Sequence, residues 1–382
     1  MRTLLVPLVV LCACNLDSRL PVRGGDAGGD APTSGDASDA PFVPDTRDLD
    51  ILFVIDDSPS MTDKQLNLTA HFAEFINVLA SGAGGLPNLH IGVVSTDLGT
   101  KGAADASPGP AIGQIGNGGC SGNGKAGNLQ LGLATTSDVD TTFISDIDAG
   151  GTRVRNYTGD LATVFGKMAT LGSGGCGFEQ QLEAMKRALD GNASNTGFVR
   201  PDAFLAVIFL TDEDDCSIAH SSMLSASDTT LGPLQSERCT RFGVRCAVGG
   251  VTSDDMHTVG VKDACGPRED SIYTTAVAGY VTFLKGLKTN VNKVLVAGIQ
   301  GNPTPFSIEL RTPPGGGTAV PALAHSCTYQ GAGGPEVADP PVRLQFFLDQ
   351  FPNRSAFTTI CQDDISGGLQ LVAGLLKTAL GT

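Results

Sequence analysis

The sequence is poor in the residues on which many reactive or nucleic-acid-binding proteins depend. Its 382 residues include no tryptophan and only five histidines, and acidic residues outnumber lysine plus arginine 40 to 25. Binding to nucleic acid requires clustered basic side chains that neutralise phosphates, and no such cluster occurs, so we expect no nucleic-acid partner. After the first residues, no apolar run approaches the roughly 20 residues that a membrane-spanning helix needs.

Motifs of common catalytic centres are missing as well. The sequence contains no HExxH, no G-x-S-x-G and no CxxC pair, which argues against a zinc protease, a nucleophile-elbow serine hydrolase and a cysteine-based zinc site. We therefore expect a protein that is not an enzyme. Glycine, in contrast, is abundant at 50 residues, which predicts long loops around a modest set of helices and strands.

The cysteines indicate an oxidising compartment. Of ten cysteines, Cys12 and Cys14 lie near the N-terminus, which leaves eight. An even number in an exported chain is typical of disulfides. Eight cysteines allow about 105 pairings; proximity favours Cys120 with Cys176 and Cys327 with Cys361, and the other four pairing among themselves. The eight candidates are Cys120, Cys176, Cys216, Cys239, Cys246, Cys265, Cys327 and Cys361.

The first residues predict export and lipidation. A positively charged start is followed by the short apolar run Leu4–Leu11, which is the pattern of a signal peptide. The ending at Ala13 and Cys14 resembles the lipobox of bacterial lipoproteins, which predicts a signal peptide over residues 1–13 and a lipid on Cys14. Ordinary signal-peptide cleavage is the alternative. Lipidation implies a lipid anchor in a membrane of the cell envelope, at the outer membrane or the cell surface.

Composition divides the remaining chain in two. Residues 14–48 are rich in Gly, Asp, Ala and Pro and hold few large apolar side chains, so they predict a flexible tether. Residues 49–382 alternate apolar strands, such as Leu49–Ile55, with amphipathic helices, such as Thr62–Ala80. This alternation predicts an α/β fold with a doubly wound, mostly parallel central sheet flanked by helices. Loop-rich insertions are expected at about 97–142 and 215–268, pinned by disulfides.

Oxygen-rich sequence follows two of the predicted strands. Asp56, Ser58 and Ser60 alternate in a tight turn after the first strand, so their side chains point the same way. Asp212 follows the strand that ends at Leu210. Ligands of doubly wound sheets bind at the carboxyl ends of the strands, and carboxylate and hydroxyl oxygens suit Mg²⁺, or alternatively Mn²⁺ or Ca²⁺. An ordinary helix cap is the alternative for the serine-rich turn.

Residues 50–79, DILFVIDDSPSMTDKQLNLTAHFAEFINVL, resemble the start of a von Willebrand factor type A domain. The D-x-S-x-S loop of that family opens its metal-ion-dependent adhesion site, and the likeness extends over residues 49–380. The resemblance implies that Ser58 and Ser60 bind the metal directly and that Asp56 acts largely through water. Asp212 matches a later aspartate of the family. The lipobox, tether and domain together resemble surface lipoproteins of this family from myxobacteria and their relatives.

The chain departs from the family pattern at one ligand. The family places a threonine in a loop before a later helix, and Cys176 stands there in this chain. A thiol is a poor partner for a hard cation, and a disulfide-bonded cysteine cannot bind one. Ser173 or Glu179 is the expected substitute; otherwise the site binds metal weakly. Asp97, at the end of another strand, is either a further ligand or an ordinary turn residue.

Three functions follow from these patterns. The first is a binding module whose cation grips a carboxylate on a partner protein or a surface polymer. The second is a metal-dependent hydrolase in which Asp97, Glu179 or Asp214 serves as the general base. The third is a structural envelope protein whose metal loop is vestigial.

Overall fold

The computed structural model of the protein describes residues 42–313 and 316–382, so the predicted signal peptide, Cys14 and most of the tether lie outside the described residues. The strands are β1 (Asp48–Ile55), β2 (Asn88–Ser95), β3 (Ile144–Asp148), β4 (Arg153–Arg155), β5 (Phe204–Leu210), β6 (Val244–Val248), β7 (Val251–Ser253), β8 (Gly260–Pro267), β9 (Val294–Gln300), β10 (Phe306–Arg311), β11 (Val320–Leu323), β12 (Cys327–Gln330), β13 (Pro335–Ala338) and β14 (Ser355–Thr359). The helices are α1 (Thr62–Ala80), α2 (Leu161–Ala169), α3 (Gln181–Leu189), α4 (Glu237–Gly243), α5 (Val277–Gly286), α6 (Val342–Asp349) and α7 (Ser366–Ala379). Among the described residues, no helix combines the length and the apolar character that crossing a membrane requires.

A seven-stranded sheet forms the centre of the domain, in the order β14-β9-β5-β1-β2-β3-β4. The first five strands of this order are parallel, and β3 and β4 add antiparallel strands at one edge. The predicted fold class, α/β with a mostly parallel sheet flanked by helices, is confirmed. Because β1 lies between β2 and β5, the strand order reverses at β1, which is where ligands bind in doubly wound sheets.

The side chains of β1 pack on both faces of this sheet. Ile51 and Phe53 join a buried cluster with α1, α2 and α7. Leu52 and Val54 join a second buried cluster with α3, α5 and α6. The nearly continuous apolar run of β1 thus reflects burial on both faces, and α1 has the bounds that its helical spacing predicted.

A second, five-stranded antiparallel sheet has the order β11-β10-β8-β6-β7. The second insertion, residues 215–268, contributes α4, β6, β7 and β8, and the segment 301–341 contributes β10 and β11. This insertion therefore holds a short helix and short strands as well as loops, and the disulfides Cys216–Cys239 and Cys246–Cys265 pin it. Within this sheet β6 pairs with β7 and β8, and β10 pairs with β11, all close in sequence, whereas β8 pairs with the more distant β10. The first insertion, 97–142, contains no helix or strand in this fully described range.

Four disulfides connect the described cysteines. The two pairings favoured by proximity, and pairing of the other four among themselves, are confirmed. One of the disulfides links β6 to β8, and another ties β12 to the end of β14. The pairs are Cys120–Cys176, Cys216–Cys239, Cys246–Cys265 and Cys327–Cys361.

The folded domain begins earlier than residue 49. The ring of Phe42 packs edge-on against Phe204, with ring centroids 6.0 Å apart, and Asp45 forms an ion pair with Lys293 at 2.7 Å. Assigning residues 42–48 to the flexible tether is therefore wrong. A single aromatic ring in a segment rich in proline and aspartate finds a core contact that composition does not indicate.

Candidate functional site

The D-x-S-x-S loop leaves the sheet at the carboxyl end of β1, between β2 and β5. The backbone N–H of Asp56 donates to the carbonyl of Leu210 at 3.0 Å, which holds the loop against the end of β5. Asp56, Ser58 and Asp212 are buried, and Ser60 is exposed. The structure thus brings the predicted residues of two strands to one edge of the sheet.

The two serine hydroxyls of the loop lie together. Ser58 Oγ is 3.2 Å from Ser60 Oγ. Ser58 precedes a short 3-10 turn, Pro59–Met61, but its side chain makes no capping hydrogen bond, and Met61 precedes α1 without one. The interpretation of the loop as an ordinary helix cap is therefore wrong, and the paired hydroxyls can serve a ligand.

The carboxylate of Asp56 is held by two donors. Its Oδ1 accepts the N–H of Ser58 at 2.8 Å, and its Oδ2 accepts the hydroxyl of Thr211 at 2.8 Å. Gln181 Nε2 donates to that hydroxyl oxygen at 2.9 Å, which directs the hydroxyl proton toward Asp56. Sequence reasoning missed Thr211 and Gln181; the signal for Thr211 was its place between β5 and Asp212. Burial, and after it the charge of Asp212, raises the pKa of Asp56 to about 7.

Buried polar atoms without hydrogen-bond partners cluster at this edge of the sheet. Glu179 is 1% exposed, and neither of its carboxylate oxygens has a partner among the described residues. The same is true of Asp212 Oδ1 and of the hydroxyl of Thr96, which follows β2. Such atoms are rare in proteins, and these fit a cation with its hydration waters. Burial, followed by the charges of Glu213 and Asp56, raises the pKa of Glu179 well above its ordinary value.

The donor set limits which group this edge can hold. Within residues 42–313 and 316–382, no three Asp, Glu, His or Cys side chains are arranged to hold a metal ion. A cation here must therefore take hydroxyl oxygens and water in addition to carboxylates, which is the chemistry of Mg²⁺, a cation that keeps several waters in proteins. The residues present fit such a cation, and those that would hold it are Asp56, Ser58, Ser60 and Asp212.

A buried lysine, which sequence reasoning missed, lies beside these carboxylates. Lys64 Nζ is 3.0 Å from Asp212 Oδ2, and it donates to the carbonyl of Ser60 at 3.0 Å and to the carboxylate of Glu336 on β13. Burial acts to lower the pKa of Lys64, but the two carboxylates more than offset this and hold the pKa above its ordinary value. The sequence did carry a signal for the burial of Lys64, because this residue lies four positions before Leu68 on the apolar stripe of α1.

The three further ligand candidates have different surroundings. Glu179 lies beside Asp56 in the carboxylate cluster. Asp97 Oδ1 accepts the N–H of Gly99 at 2.8 Å, so this carboxylate holds a turn. Ser173 is half-buried and makes no side-chain hydrogen bond in the described part of the chain. Glu179 is therefore the candidate that the structure places with the site.

The loop around Cys176 covers the D-x-S-x-S turn without offering a sulfur ligand. Cys176 is bonded to Cys120, so it cannot bind a cation. Gly175 N–H donates to the carbonyl of Asp57 at 2.7 Å, and Gly177 N–H donates to the carbonyl of Gly118 at 3.0 Å. A Cβ on Gly175 would lie 2.4 Å from Asp57 Oδ1, so only glycine allows this approach. The disulfide therefore joins the loop of Gly175 to the loop of Gly118, and Gly175 packs against Asp57 of the D-x-S-x-S turn.

Comparison with solved structures shows a distant likeness. No model of a protein family matches the chain, and no curated protein matches it. Among solved structures, the chain is similar to a von Willebrand factor type A protein from Catenulispora acidiphila, with 12% identity and a TM-score of 0.32. The match covers 88% of this chain and 43% of that chain, which is less than half of its length. A likeness this distant assigns no residue and no function.

The pKa of Asp56 predicts how stability depends on pH when divalent cations are absent. Its folded-state pKa of about 7 lies above the ordinary value of 3.8, so folding favours the protonated form. This contribution is fully present below the ordinary value and is lost as pH rises through the folded-state pKa. We expect the free energy of unfolding to fall between about pH 5 and pH 7, by up to about 1.4 kcal/mol per pH unit for this carboxyl. Urea unfolding in EDTA, followed by circular dichroism, measures the effect.

The variant Asp56→Asn is the matched comparison for this measurement. The comparison separates the contribution of the Asp56 carboxyl to the free energy of unfolding from that of His90. Burial lowers the pKa of His90, so the contribution of His90 has the opposite sign in the same pH range. We expect the wild-type protein to lose more stability than the variant on going from pH 5 to pH 7. If the free energy of unfolding depended on pH in the same way in the two proteins, the effect could not be assigned to Asp56.

Proposed function

We propose that this chain is a non-enzymatic protein of the cell envelope that binds a divalent cation at the D-x-S-x-S loop and uses it to grip a carboxylate. The ligand carboxylate belongs to a partner protein or to a surface polymer. When bound, the cation supplies an open coordination position for an anionic oxygen. The residues that would hold it are Asp56, Ser58, Ser60 and Asp212, with Glu179 as the nearby unpartnered carboxylate.

The observation that carries this proposal is the set of unsatisfied buried oxygens at the switch point of the sheet. Asp212 Oδ1 and both oxygens of Glu179 have no donor among the described residues. An uncompensated buried carboxylate is costly, and a cation offsets that cost. Two hydroxyls, of Ser58 and Ser60, lie 3.2 Å apart beside them. Oxygen donors at this place support a hard cation better than they support a purely structural turn.

The alternative of a metal-dependent hydrolase needs a general base close to the loop. Asp97 is engaged in holding its own turn. Both oxygens of Asp214 accept backbone N–H groups at the start of α6, from Arg343 and Leu344. These contacts favour the binding module over the hydrolase.

The proposed location rests on the N-terminal sequence. A lipid on Cys14 and the tether that follows would hold the domain away from a membrane of the cell envelope. Incorporation of a labelled fatty acid by the full-length protein, and its loss in Cys14→Ala, is the expected result in the native host. Equal labelling of both proteins would contradict lipidation at Cys14.

Calorimetric titration of the full-length protein with Mg²⁺, Mn²⁺ and Ca²⁺ tests the cation site. We expect saturable binding that Asp56→Asn and Ser58→Ala each weaken at least tenfold, because each removes an oxygen that the site depends on. Asp63→Asn is the matched control, since Asp63 lies in the first turn of α1 and its carboxylate accepts the N–H of Gly333. We expect this control to bind cations as the wild-type protein does.

The carboxylate grip is tested with the same proteins on isolated cell envelopes. Binding of the wild-type protein is expected to require Mg²⁺, to be lost in EDTA, and to be lost when the carboxyl groups of the envelope are amidated. A silent cation titration would favour the structural protein with a vestigial loop. Envelope binding that neither EDTA nor Asp56→Asn changes would overturn the proposed grip.

A further inference from the structure

The ammonium group of Lys64 is a positive charge built into the edge of the sheet that holds the candidate cation site. Its side chain is fully buried, and its Nζ lies 3.0 Å from Asp212 Oδ2. The same Nζ donates to the carbonyl of Ser60 at 3.0 Å and to the carboxylate of Glu336. An ammonium group has three N–H donors, so these three acceptors use all of them. Lys64 is therefore held in place by directed contacts.

The three acceptors of Lys64 come from segments that are far apart in the chain. Ser60 belongs to the D-x-S-x-S loop, Asp212 follows β5, and Glu336 lies on β13. The strands β12 and β13 pair with each other, and the disulfide Cys327–Cys361 ties β12 to the end of β14. Lys64 thus joins the two segments that would hold the cation to a third segment outside the site.

Lys64 also determines which oxygen of Asp212 is available to a ligand. Asp212 Oδ2 pairs with Lys64, whereas Oδ1 is buried and has no partner among the described residues. The donors to Asp56, which are the N–H of Ser58 and the hydroxyl of Thr211, are neutral. The charge of Lys64 therefore acts on the donor set through Asp212.

The charges at this edge decide how strongly a cation and an anion are held. Asp56 and Asp212, when ionised, carry two negative charges, which by themselves would neutralise a divalent cation. The ammonium of Lys64 adds one buried positive charge in contact with Asp212, and Coulomb energies are large at short range and low dielectric. This charge opposes the cation and attracts an anionic oxygen. Glu336 shares the ammonium, but its side chain is 19% exposed against 3% for Asp212, so water screens its charge more strongly.

We propose that Lys64 is a positioning residue that weakens the binding of the divalent cation and strengthens the binding of the partner's carboxylate. This inference rests on the proposed function, because it concerns the same cation and the same ligand. It implies that removal of the ammonium changes the two affinities in opposite directions. The loss of a merely structural contact would weaken both.

Two titrations of the full-length protein measure the two affinities separately. Calorimetry with Mg²⁺ gives the affinity for the cation. NMR relaxation of the methyl protons of acetate, in protein saturated with Mn²⁺, gives the affinity for a carboxylate, because a paramagnetic ion speeds the relaxation of protons that bind near it. For Lys64→Met we expect at least tenfold tighter binding of Mg²⁺ and at least threefold weaker binding of acetate.

Further variants separate the charge of Lys64 from the fold. Because Lys64→Met leaves two carboxylates without a counter-ion, the double variant Lys64→Met with Glu336→Gln removes one of them, and we expect both affinities to change in the same directions. Lys64→Arg retains the charge and is expected to bind both probes within threefold of the wild-type protein. Lys167→Met is the matched control, since it removes a lysine that pairs with Asp138 at the surface, and we expect it to change neither affinity. Circular dichroism confirms that each variant folds.

Three results would overturn the proposal. Weaker binding of both Mg²⁺ and acetate in a folded variant without Lys64 would show that its role is structural. Unchanged affinities in such a variant would show that the charge does not act on the site. If Lys64→Arg behaved as Lys64→Met does, the charge would not be the cause. A silent Mg²⁺ titration of the wild-type protein is a different outcome, because it overturns the proposed cation site and this inference with it.

Discussion

Replacing Lys64 by methionine is expected to lower the free energy of unfolding of the cation-free protein by about 3–5 kcal/mol. The Nζ of Lys64 is the positive charge next to Asp212 and Glu336, and its side chain is fully buried. Methionine fills a similar volume but leaves two carboxylates without a counter-ion inside the protein. Chemical unfolding in EDTA measures the loss.

Two comparisons make this experiment specific. Lys167→Met removes a lysine that pairs with Asp138 at the surface, where it is 44% exposed, and we expect a loss below about 1 kcal/mol. The double variant Lys64→Met with Asp212→Asn removes one of the stranded charges, so it is expected to be more stable than the single variant. An equal loss for Lys64→Met and Lys167→Met would show that the buried ion pair does not matter.

Divalent cations extend this prediction to the proposed site. A cation at the D-x-S-x-S loop lies close to Asp212, so it can replace part of the charge that Lys64 supplies. We therefore expect Mg²⁺ to raise the free energy of unfolding more in Lys64→Met than in the wild-type protein. Equal stabilisation of the two proteins would mean that Lys64 and the cation do not share Asp212.

The second large effect is expected when the disulfide Cys120–Cys176 is removed by serine at both positions. This disulfide joins residues 56 apart in sequence, and closing a loop of that length stabilises a protein by about 4 kcal/mol. We also expect at least tenfold weaker Mg²⁺ binding, because the disulfide fixes the Gly175 loop against Asp57. Unfolding and calorimetric titration of the same protein report the two losses.

The disulfide Cys246–Cys265 is the matched control. It joins residues only 19 apart, within the second sheet, and its removal is expected to cost about 3 kcal/mol without changing Mg²⁺ affinity. If both double-serine variants bind Mg²⁺ as the wild-type protein does, the Cys176 loop has no part in the site. If both weaken binding equally, the effect is a general loss of stability.

Much of the candidate site was visible in the sequence because its residues are neighbours along the chain. Asp56, Ser58 and Ser60 follow a strand whose burial on both faces was evident, and Asp212 follows another such strand. Parallel strands bring their carboxyl ends to one edge, so their meeting follows from the fold class. Lys64 was missed, although a charged residue on the apolar stripe of α1 was a usable signal.

Sequence patterns could not reveal other features of the site. Lys64 meets Glu336, which is 272 residues away in the chain. The second sheet is completed by the pairing of β10 with β8, which joins the segment 301–341 to the second insertion. The missing partners of Glu179 are a property of its surroundings, since any glutamate with the same neighbours in sequence can be fully solvated.

By itself the sequence determined the α/β class, the oxygen-rich loop at the end of β1, and two of the disulfide pairings, Cys120–Cys176 and Cys327–Cys361. Each of these features depends on local composition, on the periodicity of apolar residues, or on residues that are close together along the chain. The tertiary structure alone decided that Ser58 does not cap a helix, that Phe42 belongs to the domain, and which carboxylates are left unpaired. The physical reason is that burial and hydrogen-bond satisfaction depend on contacts between segments, and those contacts exist only once the chain has folded.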